Sequence, residues 1–190
     1  MMIEEYPGAV SQDLCEQIIA RFEQDPHLTA SAVVGEGGIK ANDVRSGTML
    51  KLDPAIEEWN ALFMAVVPAL RSTMDSYMVK YPGLNAVVEW EGLDCTIPQI
   101  ERVDPGQGFN WHYDLTQNTD PRVLAGLLYL RTITEGGYTE FAHQDQKIQP
   151  EAGKIVLFPP FWTHIHRGVT PARVSKYVMS FFWVYRRAPD

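Results

Sequence analysis

GKIVLFPPFWTHIHRGVTPARVSKYVMSFFWVY, residues 153–185, contains short β-prone runs separated by turn residues. Valine, isoleucine and aromatic residues favour strands, whereas glycine and proline interrupt them. The same pattern begins near Val87, and no helical periodicity interrupts it, so a β-sandwich or jelly roll is favoured over βαβ units. The predicted strands are Val87–Trp90, Cys95–Val103, Val123–Arg131, Tyr138–Ala142, Lys154–Phe158, His164–Thr170 and Val174–Tyr185.

The chain before Val87 is predicted to be mainly helical. Ser11 is placed to cap a first helix, and a second helix is predicted to start at Asp53-Pro54 with proline in its first turn. Pro68 is expected to kink or split that second helix. We expect both helices to pack their apolar faces against one sheet. The apolar face of the first helix consists of Leu14, Ile18, Ile19 and Phe22.

Composition excludes several classes of protein. The chain has 190 residues, of which 45% are hydrophobic and 21% charged, as in ordinary globular domains. No apolar run approaches the ~18 residues of a membrane helix, and the acidic N-terminus lacks the basic segment of a secretory signal, so we expect a cytoplasmic protein. The net charge of −8 disfavours nucleic acid as a partner. Cys15 and Cys95 lack CxxC spacing and are expected to be reduced thiols.

Two histidine segments suggest a metal site. His112 and Asp114 are two residues apart in FNWHYD, residues 109–114, and would share one face of an extended strand. His164 and His166 have the same relation in FWTHIH, residues 161–166. Two histidines and one carboxylate on one side of a metal leave its other positions open, which suits non-haem Fe(II). A structural zinc site would instead be closed by four protein ligands.

Lys176 is a charged residue in an otherwise apolar predicted strand, ten positions after His166. A buried ammonium group is costly unless an anion pairs with it. A metal site that takes a dicarboxylate needs a second cation at its far end, and Lys176 can supply that charge.

Taken together, four segments resemble the motifs of Fe(II)/2-oxoglutarate-dependent dioxygenases, particularly those of the prolyl 4-hydroxylase-like branch. The resemblance covers roughly residues 95–185. It implies a mainly β fold with flanking helices, namely a double-stranded β-helix, the jelly roll shared with cupins. The segments are DPGQGFNWHYD at 104–114, LYL with EGGYTEF at 128–141, GKIVLFP at 153–159, and HRG with Lys176-Tyr177 at 166–177.

The resemblance also implies roles for individual residues. His112, Asp114 and His166 match the catalytic iron ligands, Lys176 matches the cation that binds the distal carboxylate of 2-oxoglutarate, and Thr139 matches a hydroxyl that often binds the same carboxylate. The implied activity is hydroxylation of a C–H bond in a small molecule or a protein residue. It consumes O₂ and releases succinate and CO₂, with ascorbate as a candidate additional cofactor.

Two departures from the family pattern affect these assignments. Val103 occupies the position, nine residues before the first ligand histidine, where the family often has a tyrosine that binds the cosubstrate, and Tyr129 is a candidate replacement. His164 competes with His166 for the third ligand position. The ten-residue offset to Lys176 favours His166, because a shift of two residues moves a side chain by roughly 6–7 Å along a strand. His164 is then expected behind the ligands or at the mouth of the site.

Trp111 and Trp162 flank the ligand segments and are expected to form an apolar shell that keeps the site dry. The Gly-rich segment Gly35–Gly47 is a candidate lid, although an ordinary surface loop has the same composition. We expect one domain over residues 1–190, with helical support and the lid region in 1–94 and the β-helix core with its metal site in 95–190.

Other functions share the predicted strands and turns. A non-catalytic jelly-roll module that binds a metal or small molecule has no need of Lys176 in register with His166. A cupin-like metalloenzyme that works without 2-oxoglutarate also remains open. Halogenation is disfavoured because Asp114 occupies the coordination position that a halide would need.

Overall fold

The structure is a computed structural model. It describes residues 2–31, 33–34, 40–41, 45–85, 92–115 and 122–185. The predicted strand Val87–Trp90 lies outside these residues, as does most of the segment Gly35–Gly47.

In the first half of the chain, the described residues form three helices and five short strands. Two of these helices are predicted from the sequence, but none of the strands is. Each strand has only two to five residues, too few for a period-two pattern to be recognised, and most add to sheets built by the second half. The elements are β1 Glu4–Tyr6, α1 Gln12–Glu23, β2 Thr29–Ser31, β3 Val33–Val34, β4 Lys40–Ala41, β5 Gly47–Lys51, α2 Glu57–Lys80 and α3 Pro82–Asn85.

The helix boundaries confirm one prediction and correct another. Ser11 caps α1, because its side chain accepts a hydrogen bond from the Leu14 N–H. In contrast, α2 begins only at Glu57, because Asp53 accepts the N–H groups of Ala55 and Ile56 and so forms a turn before the helix. The helix also runs unbroken through Pro68, so the expectation of a split is wrong; buried residues on both sides of the proline hold the helix in place.

Nine strands follow in the described part of the second half. The predicted strand Cys95–Val103 is divided at residues 96–98, and β11 was not predicted. These strands are β6 Leu93–Cys95, β7 Gln99–Val103, β8 Phe109–His112, β9 Arg122–Tyr129, β10 Thr139–Phe141, β11 Gln146–Ile148, β12 Ile155–Phe158, β13 His166–Gly168 and β14 Lys176–Tyr185.

Two antiparallel sheets form a double-stranded β-helix, which confirms the predicted fold class. The larger sheet has the order β1-β12-β9-β14-β7-β5-β2, with β6 also paired to β14, and the smaller has the order β11-β10-β13-β8. Helices α1 and α2 cover the outer face of the larger sheet, where Phe22 and Trp59 share an apolar core with Ile100 and Phe181. The other face of this sheet looks toward the smaller sheet across a second apolar cluster and a cavity.

Both cysteines are free thiols, as predicted; Cys15 is buried and Cys95 half-buried. None of the helices in the described ranges is both long enough and apolar enough to cross a membrane.

Candidate active site

Three potential metal ligands meet at the edge of the smaller sheet. His112 is the last residue of β8 and His166 the first of β13, and the two are register partners. One ligand atom from each of His112, Asp114 and His166 lies within 4.8 Å of the others. The Asp114 carboxylate is 3.7 Å from His112 Nε2 and 3.8 Å from His166 Nε2. This spacing suits one ion bound at about 2 Å from each atom.

Asp114 reaches this cluster differently from the sequence prediction. Strand β8 ends at His112, so Asp114 does not share a strand face with it. Instead, the Asp114 N–H donates to the Pro160 carbonyl at 3.1 Å, and its carbonyl accepts from Arg122 at 2.7 Å. A bend held by its backbone hydrogen bonds therefore positions the carboxylate.

A β-bulge brings Phe109 and His112 to the same side of β8. His166 of β13 pairs with His112 of β8, and Gly168 pairs with Phe109. The paired residues are two positions apart on β13 but three apart on β8, so β8 contains one extra residue. Strict alternation would place residues three apart on opposite faces. Because of the bulge, the Phe109 ring stacks on His112 at 3.5 Å between centroids.

Both histidines offer the Nε2 atom to the ion. His112 Nδ1 lies 2.7 Å from the Asn110 carbonyl, and His166 Nδ1 lies 3.0 Å from the His164 carbonyl. A carbonyl can only accept, so each Nδ1 carries a proton, and Nε2 is the atom that holds the lone pair in the neutral ring. Such bonds orient metal-binding imidazoles and fix their tautomer.

Burial controls the ionisation of this cluster. It lowers the pKa of His112 to about 3, assisted by the charges of His166 and Arg45, so this imidazole stays neutral. Burial also raises the pKa of Asp114, although His166, Arg122 and Arg45 oppose that change. A bound cation would favour the ionised carboxylate.

The apolar shell around the histidines consists of phenylalanines rather than the predicted tryptophans. Phe158 and Phe141 pack against His166 with centroids 4.9 Å and 5.4 Å away. Trp111 and Trp162 are 41% and 66% exposed, so the expectation that they keep the site dry is wrong. Trp111 points away from its neighbour His112, and Trp162 lies in a short 3₁₀ turn that projects into solvent.

His164 does not share a strand with His166, contrary to the alternation argument. It ends the 3₁₀ turn Trp162–His164, and its buried ring bonds to the Thr163 hydroxyl at 2.9 Å. Its main chain, rather than its imidazole, contacts His166. The ligand cluster therefore includes His166 and omits His164.

Lys176, Tyr129 and Thr139 lie together, deeper between the sheets. The Tyr129 hydroxyl donates to Thr139 Oγ1 at 2.7 Å, and Lys176 Nζ is 5.3 Å from the Tyr129 ring centroid. Val103 on β7 is the register partner of Lys176 and has no hydroxyl to offer. Tyr129 lies on β9, the strand on the other side of β14, and provides a hydroxyl there. Among the described residues, Lys176 forms no hydrogen bond or ion pair, although it is only 4% exposed.

The buried ammonium is therefore ready for an anion. Burial lowers the pKa of Lys176 to about 8, and the nearby charge of Glu101 opposes this effect. Arg173, a second cation three residues before Lys176 in the chain, is exposed and pairs with Glu135 at 3.0 Å, outside the cavity.

The structure adds Arg45 and Glu101, which the sequence analysis did not connect. The Arg45 guanidinium binds both oxygens of the buried Glu101 carboxylate, and the Ser31 hydroxyl donates to the same carboxylate. Glu101 and Val103 are two residues apart on β7, so their side chains lie on the same face of the strand. Because Val103 was already expected near the cosubstrate, this spacing could have identified Glu101 as a second residue of the site.

One cavity, partly open to solvent, is lined by the metal-ligand cluster, Thr139, Lys176, Arg45 and Glu101. Strands from both sheets contribute to it. A candidate metal site in one cavity with a buried ammonium that has no ion pair within the described ranges fits a metal together with a dianionic chelator.

Comparison with known proteins agrees with this geometry. Residues 98–185 match the sequence profile of the 2OG-Fe(II) oxygenase superfamily. A search of functionally curated proteins found no significant match.

Solved prolyl hydroxylase structures share the fold of the chain. The Pseudomonas putida prolyl-4-hydroxylase is 18% identical over 98% of this chain and 93% of its own, with a TM-score of 0.70. The viral collagen prolyl hydroxylase of Paramecium Bursaria Chlorella virus-1, solved with 2OG, is 16% identical over 96% of both chains, with a TM-score of 0.67. A Trichoplax adhaerens prolyl hydroxylase, solved with a hypoxia inducible factor peptide fragment, is 16% identical over 96% of this chain and 83% of its own, with a TM-score of 0.72.

Proposed function

We propose that the chain is an oxygenase of the 2OG-Fe(II) superfamily, whose sequence profile residues 98–185 match, and that it hydroxylates a C–H bond of a small molecule or a protein residue, releasing succinate and CO₂. The observation that carries this proposal is the cluster of His112, Asp114 and His166 in the same cavity as the unpartnered Lys176. A non-catalytic binding module would not require this pairing of a metal cluster with a buried cation.

The ligand cluster would hold Fe(II) from one side and leave the remaining positions free. The Asn110 and His164 carbonyls hold the two imidazoles in the tautomer that binds a metal, and the hydrogen bond from its N–H to the Pro160 carbonyl holds Asp114. When bound there, Fe(II) supplies the activation of O₂, with 2-oxoglutarate as the source of electrons.

At the far end, Lys176 would bind the distal carboxylate of 2-oxoglutarate. Tyr129 donates its proton to Thr139, which leaves the Thr139 proton free to donate to that carboxylate. A charge-assisted bond to Lys176 and a neutral bond to Thr139 would together align the cosubstrate with the metal. In this arrangement Tyr129 would orient the Thr139 hydroxyl and would not itself bind the cosubstrate.

The peptide in the Trichoplax structure supports a peptidyl substrate, although a small molecule also fits the proposal. The apolar core that α1 and α2 share with the larger sheet supports treating residues 1–190 as one domain.

The decisive experiment is an anaerobic titration of the purified protein with Fe(II), then with 2-oxoglutarate, followed by exposure to O₂. We expect one iron per chain, 2-oxoglutarate binding only after iron, and stoichiometric succinate. Adding ascorbate in a parallel sample tests its predicted role as an additional cofactor. Iron binding without 2-oxoglutarate binding or succinate would contradict the proposal and favour a cupin-like enzyme or a binding module.

A further inference from the structure

The cavity contains two cations, the buried Lys176 and the half-buried Arg45, that differ in their partners. Lys176 has no ion pair among the described residues, whereas Arg45 already pairs with Glu101 at 2.8 Å. Both line the same cavity as the metal-ligand cluster. Two cations with such different partners are suited to different groups.

The Arg45–Glu101 pair is held firmly in place. Arg45 Nε donates to Glu101 Oε1 at 3.0 Å, and a terminal nitrogen donates to Oε2 at 2.8 Å. Ser31 donates a third hydrogen bond to Glu101, which is only 7% exposed. Separating a buried pair of this kind leaves both charges uncompensated, so a ligand has to bind the pair as it stands.

The pair lies beside the proposed metal centre. The Arg45 guanidinium is 4.8 Å from the centroid of the Phe109 ring, which in turn stacks on His112. Glu101 binds the Nε edge of the guanidinium. Within the described part of the chain, the second terminal nitrogen of Arg45 has no hydrogen-bond partner, so its N–H groups remain available to a ligand in the cavity.

The pairing determines which kind of group gains by binding here. A carboxylate would be attracted by Arg45 but repelled by Glu101 at a similar distance, while still losing its hydration. An uncharged acceptor, such as an amide carbonyl, loses less hydration and still gains a charge-assisted hydrogen bond from Arg45.

We propose that Glu101 is a specificity-determining residue, which compensates Arg45 so that the substrate group beside the metal is an uncharged hydrogen-bond acceptor and not a carboxylate. This inference rests on the proposed function, because it assumes that 2-oxoglutarate occupies the Lys176 end. It assigns anion binding to Lys176 and recognition of a neutral acceptor to Arg45.

The test uses protein loaded with Zn(II) in place of iron and with N-oxalylglycine in place of 2-oxoglutarate. Two probes with the same skeleton, N-acetylprolinamide and N-acetylproline, are titrated and followed by calorimetry or NMR. We expect the native protein to bind the amide at least about tenfold more tightly than the carboxylate. Glu101→Gln should reverse this preference, because Arg45 is then uncompensated.

Two further variants separate charge from structural damage. In Arg45→Gln/Glu101→Gln the uncompensated cation is absent, so the preference for the carboxylate should disappear. The amide then loses its charge-assisted hydrogen bond as well, but its lower dehydration cost should still favour it. Glu140→Gln removes a carboxylate from another Arg–Glu pair, on the outer face of the smaller sheet, and should leave the preference unchanged. A merely structural role for Glu101 would weaken both probes equally and would not be corrected by the second substitution.

The experiment distinguishes failure of the proposed function from failure of the role assigned to Glu101. If N-oxalylglycine fails to bind the Zn(II) protein, the proposed function is wrong. If it binds, but the native protein prefers the carboxylate, shows no preference or takes up neither probe, the assignment of Glu101 is wrong. The same holds if Glu101→Gln leaves the preference unaltered.

Discussion

The two faces of the smaller sheet come from the same strands but carry opposite chemistry. On the outer face, Arg167 pairs with Glu140 at 2.6 Å and lies over the Trp111 ring at 4.6 Å, and Lys147 lies 3.5 Å from Glu140. On the inner face, the polar side chains point into the cavity and belong to His112, Thr139 and His166.

The difference lies in whether the polar groups are satisfied. The outer charges pair with one another and remain in contact with water, as expected of a solvated surface. The inner imidazoles keep free lone pairs in an apolar surrounding, and buried polar groups without partners call for a ligand. We therefore expect the face with unsatisfied polar groups, rather than the more highly charged one, to be the functional face.

The largest expected effect comes from removing an inner ligand. Asp114→Ala should reduce Fe(II) affinity by at least about 100-fold, because two imidazoles alone leave the charge of the metal uncompensated. Anaerobic metal titration measures this loss.

His166→Ala and His164→Ala form a matched pair for the same measurement. His166→Ala should reduce iron affinity as strongly as Asp114→Ala does. His164→Ala should change it only a few-fold, since the contact of His164 with His166 comes from the main chain. Loss of iron confined to His164→Ala would reverse the ligand assignment.

The next effect concerns the cation at the far end of the cavity. Lys176→Ala should weaken 2-oxoglutarate binding by about 100-fold, or about 2–3 kcal/mol, because a buried charge-assisted pair is lost. Lys176→Arg should restore only part of this, since the guanidinium is larger and planar. Titration of the metal-loaded variants gives both values, and unchanged affinity in Lys176→Ala would place the anchor elsewhere.

The pH dependence of 2-oxoglutarate binding gives a smaller effect. Burial lowers the pKa of Lys176 to about 8 in the free protein, and a bound carboxylate would raise it. Above about pH 8 binding must therefore add a proton, so affinity should fall, approaching tenfold per pH unit. Lys176→Arg keeps its charge and should show no such fall, so an equal fall in both proteins would exclude Lys176 as its source.

The smallest effect is expected on the outer face. Arg167→Ala breaks the half-buried pair with Glu140 at the protein surface, and ion pairs in contact with water contribute little to stability. We expect Tm to change by no more than about 3 °C, with iron and 2-oxoglutarate affinities preserved. A large loss of either affinity would mean that the two faces are not independent.

The sequence alone predicted the β-rich character of the second half, and it singled out His112, Asp114, His166 and Lys176, which the structure brings to one cavity. Strand periodicity and turn residues are local properties, and the motifs span few residues, so both can be recognised without coordinates. The reason given for His112 and Asp114 lying together was nevertheless wrong, because a bend and a bulge replace simple alternation there.

Only the tertiary structure decided which side chains are buried and which are paired. In the folded chain Trp162 is exposed, α2 begins only at Glu57, and His164 lies in a turn. It also joined Arg45 to Glu101, which are 56 positions apart in the chain. Pairing across such a distance depends on how β5 and β7 are brought together in the larger sheet, and no local pattern in the sequence encodes that contact.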